Sequence, residues 1–241
     1  MITITQKTSQ LPEDSFLSLG NSTARMRGGY IDNYANVAEY QYQWSNSISS
    51  KKFALKDIAH SFWEEIAFST EQYVQGICFA EPYVLISAYF DEKDVLGEVM
   101  VFHQDTGEYL LTLGLNEDSH LGGVAFDGTN IWICNSERQA IERFSYDSLC
   151  EMIEAHRYEK VDITNLVDVY PVANIPSCIT YYDDSLWIAT HHKYTESVMM
   201  RYIYDENTDR LRNMDNYKIP SKVQGLVFDT DGSLYVSSSY G

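Results

Sequence analysis

Short apolar runs separated by turn residues dominate the chain from Val74 onward. The first set reads Val74-Gln-Gly-Ile-Cys-Phe79, Tyr83-Val-Leu-Ile-Ser-Ala-Tyr89, Gly97-Glu-Val-Met-Val-Phe102 and Thr106-Gly-Glu-Tyr-Leu-Leu-Thr-Leu113. Runs of this length, rich in β-branched and aromatic residues and bounded by Gly, Asp or Pro, are typical of β-strands. The pattern therefore predicts four consecutive strands.

The same order of runs recurs along the chain, in copies at approximately 74-115, 120-146, 175-212 and 223-241. Each copy opens with two apolar strands, and the last three copies separate them by Asp127-Gly128, Asp183-Asp184 and Asp231-Gly232. Asp-Gly pairs favour tight hairpin turns because they tolerate positive φ angles. Sheets repeated at this period bury their second faces by stacking radially. The predicted fold class is all-β, a β-propeller with about four or five four-stranded antiparallel blades.

A large ring recurs early in the second strand of the last three copies, as Trp132, Trp187 and Tyr235. Through these rings and the recurring Gly-Ile/Val, Asp-Gly and Leu/Ile-Trp-Ile patterns, residues 74-241 resemble the propellers that include NHL repeats, gluconolactonase-like lactonases and virginiamycin lyase. The resemblance implies a propeller with a site in its central channel. It also implies, as one alternative for the function, a metal-dependent lactonase or lyase. The acidic and amide metal ligands of the lactonases have no residue-by-residue match here.

The remaining segments lie outside the repeat. We expect a polar tail or linker over residues 1-28, and a strand and a helix over 29-73 that pack on the propeller. The helix is predicted at Lys52 to Phe68. A second helix is predicted at Asp147 to His156, between the second and third blades, with Ser148 and Glu151 as its capping box.

The fourth copy has only two strands before Gly241. Either the strand predicted at Tyr30 to Trp44 completes this blade, or the chain is a fragment whose other blades follow. Both explanations agree with the sequence.

The charge composition limits the classes of partner that the chain is expected to bind. A net charge of -18 from 17 basic and 35 acidic residues disfavours nucleic acid and anionic membranes. No apolar run approaches the roughly 20 residues of a membrane helix. We expect a soluble chain, cytoplasmic if Met1 is the natural start and extracytoplasmic if a leader has been removed. Of the four cysteines, Cys78, Cys134 and Cys178 fall in apolar strands and are interpreted as core residues.

The familiar enzyme motifs are absent, so no catalytic residue is assigned. Residues at the ends of the innermost strands are the candidates, because loops at the ends of a rigid scaffold usually build its sites. One predicted ring holds Gln75, His120, Ser177 and Gln224. The ring predicted at the other end of the hairpins holds Tyr89, Asn135, His191 and Tyr240. Both rings suit a small polar ligand or a water-filled channel.

A divalent metal is the one cofactor considered, because histidine is a common metal ligand. His191 and His192 are adjacent, and neighbouring strand residues face opposite sides, so no metal site is assigned. Asp205, Asn207 and Asp209 alternate as in a calcium loop, but Arg210 occupies the glycine position, which favours a turn. We therefore expect a non-catalytic module that binds a protein, peptide, glycan or small polar ligand, with a channel-centred enzyme as the alternative.

Overall fold

The computed structural model describes residues 15–16, 43–44, 72–117 and 119–238. These residues belong to two compact units, the first containing Phe53–Pro176 and the second containing Thr3–Lys52 with Ser177–Gly241. The helix predicted at 52-68, residues 30–42 of the predicted N-terminal strand, and Tyr240 lie outside the described residues. The described part is nearly all β, as predicted.

The first sheet of the first unit contains the four strands predicted from the first repeat. They are antiparallel and adjacent in chain order: β3 (Gln72–Ala80), β4 (Tyr83–Phe90), β5 (Leu96–His103) and β6 (Tyr109–Glu117). A fifth strand, β10 (Lys160–Asp162), pairs in parallel with β6, placing Val161 opposite Leu113. A strand from much later in the chain thus extends this sheet.

The second sheet takes its fourth strand from beyond a helix. Its strands are β7 (Val124–Phe126), β8 (Asn130–Asn135), β9 (Ala140–Ser145) and β11 (Asp168–Pro171), all antiparallel. The connection between β10 and β11 therefore runs from the first sheet to the second. It becomes one wall of the pocket described below.

Helix α1 (Tyr146–Ala155) follows β9 directly, where a helix was predicted. The predicted capping box is wrong, because the N-cap is Ser145, whose hydroxyl oxygen accepts a hydrogen bond of 3.0 Å from the Ser148 backbone N–H. Ser148 lies inside the first turn, so it cannot be the residue that precedes it. Leu149 and Ile153 are buried in the core of the first unit.

The second unit contains another four-stranded antiparallel sheet and one hairpin. The sheet comprises β12 (Cys178–Tyr182), β13 (Ser185–Ala189), β14 (Ser197–Asp205) and β15 (Arg210–Ile219), and the hairpin comprises β16 (Val223–Phe228) and β17 (Leu234–Ser238). The Trp187 and Phe228 rings pack at 5.0 Å between their centroids, joining sheet and hairpin. In this unit β1 (Ser15–Phe16) pairs with β2 (Gln43–Trp44), the described end of the predicted N-terminal strand.

Side-chain burial explains why these strands pack. Trp132 is fully buried, and its ring lies 5.6 Å from that of Tyr170 across the second sheet. Cys134 and Cys178 are buried and Cys78 is half-buried, all three as free thiols, in agreement with their interpretation as core residues. No helix among the described residues is long and apolar enough to cross a membrane.

Candidate functional site

The hairpins bring the two predicted rings to the same end of their sheets. Tyr73 pairs with Tyr89, Cys178 with Ala189, and Val223 with Ser238. The start of the first strand therefore lies beside the end of the second, as in any antiparallel hairpin. The prediction that the rings occupy opposite ends is wrong for this reason.

Two of the predicted residues, Gln75 and Gln224, occupy β-bulges. Val74 pairs with Ala88 and Gly76 with Ser87, which leaves Gln75 without an opposing residue, and Gln224 is bulged in the same way between Val223 and Gly225. At Gly76, directly after the first bulge, glycine is required because an added Cβ would lie 2.9 Å from the Gly123 Cα. The repeated Val-Gln-Gly sequence therefore encodes a bulge that displaces the glutamine from the ladder.

In the second unit, Ser177, His191 and Gln224 come together. The His191 backbone N–H donates to the Ser177 hydroxyl at 3.0 Å, and its ring Nδ1 lies 3.2 Å from Gln224 Nε2. His192 turns elsewhere, with Nδ1 2.9 Å from the Glu196 carbonyl oxygen. Across residues 72–117 and 119–238, no group of three or more His, Cys, Asp or Glu side chains is arranged to hold a metal ion.

In the first unit, Tyr89 and His120 contact each other within a row of rings. Tyr73 stacks on Tyr89 at 5.2 Å between centroids, and Tyr89 contacts His120 at 4.3 Å. Burial, the nearby Asp91 carboxylate and Tyr73 raise the pKa of Tyr89. Gln75 takes no part in this row, because its amide folds back onto the carbonyl of Val74 at 3.3 Å.

Asn135 lies in a buried polar cluster instead of a solvated ring. Its Nδ2 donates to Glu142 Oε1 at 2.9 Å, and its Oδ1 accepts from the Arg138 backbone N–H at 3.0 Å. Glu142 is fully buried, and its Oε2 accepts a hydrogen bond of 2.5 Å from Asn116 Nδ2. Burial raises the pKa of Glu142, while Asn135, Arg138 and Asn116 act in the opposite direction.

This cluster borders a pocket of about 290 Å³ between the first two sheets of the first unit. The lining side chains are mostly polar: Leu96, Asn116, Asn135, Glu137, Arg138, Asp162, Thr164 and Asn165. Asp162 is the last residue of β10, and Thr164 and Asn165 follow it in the connection to β11. The pocket thus needs four stretches of the chain, at positions 96, 116, 135–138 and 162–165.

Asn116 has unusual backbone and side-chain geometry. It is a bulge residue of β6, since Leu96 pairs with Glu117 and Gly97 with Leu115, and its φ of 46° lies in the left-handed region. Its backbone N–H donates to Thr164 Oγ1 at 3.1 Å. The residue is 5% exposed, and its Oδ1 has no hydrogen-bond partner within the described part of the chain.

The charges around the pocket do not balance. Arg138 Nη1 lies 3.6 Å from Glu142 Oε1, so the cation is opposed by a buried carboxylate. Glu137 and Asp162 remain as further lining carboxylates. Hydrogen bonds from Thr164 lower the pKa of Asp162, which keeps that carboxylate ionised well below neutral pH. The lining therefore carries excess negative charge.

Sequence reasoning found Tyr89, His120 and Asn135 in this region but missed Asn116, Glu142 and Asp162. The available signal for Glu142 was its place in the predicted strand Ala140-Ile-Glu-Arg-Phe144, where Glu142 and Arg143 are charged and the other three residues are apolar. Nothing in the sequence marks Asn116, because its bulge lacks the Val-Gln-Gly sequence that the bulges at Gln75 and Gln224 share.

No family profile and no curated protein matches the chain. Among solved structures, it is similar to the glutaminyl cyclase of Myxococcus xanthus, with 10% identity and a TM-score of 0.49, covering 72% of this chain and 64% of that one. The hydrazine synthase of Kuenenia stuttgartiensis has 12% identity and a TM-score of 0.47, and the match covers 74% of this chain and 46% of that one. A nidogen/laminin complex has 14% identity and a TM-score of 0.42, and the match covers 66% of this chain and 54% of that one.

The chain therefore spans less than two thirds of the length of each of these proteins. All three TM-scores are below 0.5, so these similarities carry no conclusion about the chain.

Proposed function

We propose that the chain is a β-propeller binding module whose pocket between the first two sheets holds a small polar ligand. Successive antiparallel sheets with a repeated opening hairpin support the propeller, because such sheets bury their remaining faces by stacking on their neighbours. The pocket lies at the end of the sheets where residues from separate strands and loops meet. This is where scaffolds of repeated sheets commonly place a ligand.

The observation that carries the proposal is Asn116, a lining residue whose Oδ1 has no hydrogen-bond partner within the described part of the chain. Buried polar atoms almost always have a hydrogen-bond partner, and leaving one unpaired costs about 1–3 kcal/mol. Here the atom belongs to a side chain that lines a polar pocket and is fixed through its Nδ2 by Glu142. A ligand that donates a hydrogen bond to Oδ1 would supply the missing partner.

The size of the pocket sets the size of the ligand. A volume of about 290 Å³ lies near the lower limit of roughly 300–1,000 Å³ for small-molecule sites. One small molecule, or one side chain of a larger partner, fills such a space. The amide and carboxylate groups inside it favour a polar ligand.

A binding role fits the buried carboxylate better than the alternative of a channel-centred lactonase or lyase. Both oxygens of Glu142 accept hydrogen bonds, from Asn135 and Asn116, and Arg138 lies beside it. A carboxylate held in this way orients its neighbours and is poorly placed to exchange a proton with a substrate. Its role in the proposal is to position the amides that face the ligand.

The proposal is tested by screening small sugars, amino acids, amines and organic acids for an increase in melting temperature, followed by calorimetric titration of each hit. Asn165→Leu removes a polar lining side chain on an exposed loop, and Asn207→Leu makes the same change on an exposed turn outside the pocket. We expect Asn165→Leu to weaken binding at least about tenfold, the equivalent of 1.4 kcal/mol, and Asn207→Leu to leave it unchanged. A screen without hits, or hits that Asn165→Leu does not weaken, would overturn the proposal.

A further inference from the structure

We propose that the ligand of this pocket carries a protonated alkylamine, recognised by Asn116, Glu137 and Asp162. This inference rests on the proposed function and specifies the chemistry of the same site. It follows from the acceptors and the charge of the lining, and from a row of aromatic rings that reaches the lining residue Glu137.

The acceptors in the lining match the donors of an ammonium group. A protonated primary amine has three N–H donors and no acceptor. The lining includes Asn116, whose Oδ1 has no hydrogen-bond partner among the described residues, and the carboxyl-bearing Glu137 and Asp162. Hydrogen bonds from a cation to a carboxylate are roughly twice as strong as those between neutral groups, so an ammonium gains more here than a hydroxyl would.

The balance of charge also favours a cation. Arg138 is the basic residue in the lining, and it lies 3.6 Å from the fully buried Glu142. With that pair nearly neutral, Glu137 and Asp162 set the sign of the pocket. The whole chain carries a net charge of -18, which attracts cations and repels anions before contact is made.

A row of aromatic rings reaches the lining residue Glu137 through His120. His120 Nδ1 lies 3.7 Å from Oε1 of Glu137. The His120 ring contacts the ring of Tyr89, which in turn stacks on the ring of Tyr73. Tyr73 is 49% exposed, so its ring is available to a ligand. Aromatic faces attract cations and also pack against methylene chains, the two parts of an alkylamine.

The amine has two sources that share this chemistry: a free diamine or polyamine, and the side chain of a lysine in a peptide. Both are thin enough to enter a pocket of about 290 Å³. They are separated by comparing putrescine and spermidine with Nα-acetyl-lysine N-methylamide. The tighter class identifies the source.

The decisive experiment compares each amine with its acetylated form by calorimetric titration at low salt. The pairs are Nα-acetyl-lysine N-methylamide with its Nε-acetylated form, and putrescine with its monoacetylated form. Acetylation removes the charge and keeps the chain, so we expect each acetylated probe to bind at least about tenfold more weakly. Glu137→Gln and Asp162→Asn should each weaken amine binding by about three- to tenfold. Glu151→Gln, an exposed carboxylate on helix α1 outside the lining, is the matched control and should change nothing.

Failure of this inference is distinguishable from failure of the proposed function. If neutral sugars or amides bind in a manner sensitive to Asn165→Leu while the amines do not, the pocket is a ligand site and the amine assignment is wrong. If amines bind but are indifferent to Glu137→Gln, Asp162→Asn and Asn165→Leu, the attraction is that of the acidic surface in general, and the inference is again overturned. If no probe of any class binds, both proposals fail.

Discussion

The side-chain amide of Asn116 donates a hydrogen bond of 2.5 Å to the buried carboxylate of Glu142, 26 positions later in the chain. This bond links β6 of the first sheet to β9 of the second. Because Nδ2 is held by Glu142, the amide plane of Asn116 is fixed, and with it the position of Oδ1. One contact thus contributes both to the packing of two sheets and to the geometry of the site.

Substitutions at Asn116 separate its backbone role from its side-chain role. Asn116→Ala removes a hydrogen-bond donor to a buried carboxylate. It also places alanine at a φ of 46°, a left-handed conformation that asparagine tolerates better. We therefore expect the free energy of unfolding to fall by about 2–4 kcal/mol. Asn116→Gly removes the same donor but tolerates the left-handed backbone, and it should be about 1 kcal/mol less destabilising than alanine. Urea unfolding measures both values. Equal stability of the two variants would contradict the role assigned to the backbone.

Glu142→Gln should change how stability depends on pH. Burial raises the pKa of Glu142, so the folded state holds this proton more tightly than the unfolded state does. Its contribution is fully present below the usual carboxyl pKa and is lost as pH rises through the raised folded value. The difference in unfolding free energy, wild type minus Glu142→Gln, should therefore fall with rising pH and then level off.

Urea titrations at a series of pH values from acidic to neutral measure this difference. Glu151→Gln removes an exposed carboxylate and serves as the control, with a difference that stays flat. A wild-type advantage that grows with pH would show that the donors around Glu142 outweigh its burial.

The Asp127 carboxylate organises the turn of the second repeat. It accepts hydrogen bonds from the backbone N–H groups of Thr129 at 2.8 Å and Asn130 at 2.6 Å. It also accepts one from Trp132 Nε1 at 2.6 Å. Asp127→Ala leaves the indole N–H of a buried tryptophan without its acceptor, and we expect a cost of about 2–3 kcal/mol. Urea unfolding followed by tryptophan fluorescence measures it. Asp105→Ala, at an exposed position of the turn between β5 and β6, should cost less than about 1 kcal/mol.

Cys178 should be an unreactive thiol in the folded protein. Burial raises its pKa to about 12, so almost no thiolate forms at mildly alkaline pH. Iodoacetamide at about pH 8.5, the usual thiol pKa, should label Cys178 in urea but not in the native state, as peptide mass spectrometry would show. Since the folded pKa is raised, the stabilising contribution of the thiol is lost as pH climbs toward that value. Rapid native labelling of Cys178 would contradict its buried position.

Much of the fold could be predicted from local pattern. The strands of the first repeat, the hairpins at 124–135, 178–189 and 223–238 and the helix after β9 follow from apolar periodicity and turn residues, which act over a few positions. The N-cap was misplaced by three residues because Ser145 and Ser148 both fit the local rule. The prediction that the two rings lie at opposite ends was wrong because, in an antiparallel hairpin, the end of the second strand lies beside the start of the first.

The sequence by itself determined the repeated strands, the bulge-forming Val-Gln-Gly segments and the acidic charge, since these depend on residue identity and short-range spacing. Only the tertiary structure decided that β10 joins the first sheet and β11 the second, which brings Asp162 and Thr164 to the pocket beside Asn116. Long-range pairing depends on which faces and edges remain unsatisfied after the local elements form. That choice belongs to the assembled sheets, and only there is Asn116 Oδ1 left without a hydrogen-bond partner among the described residues.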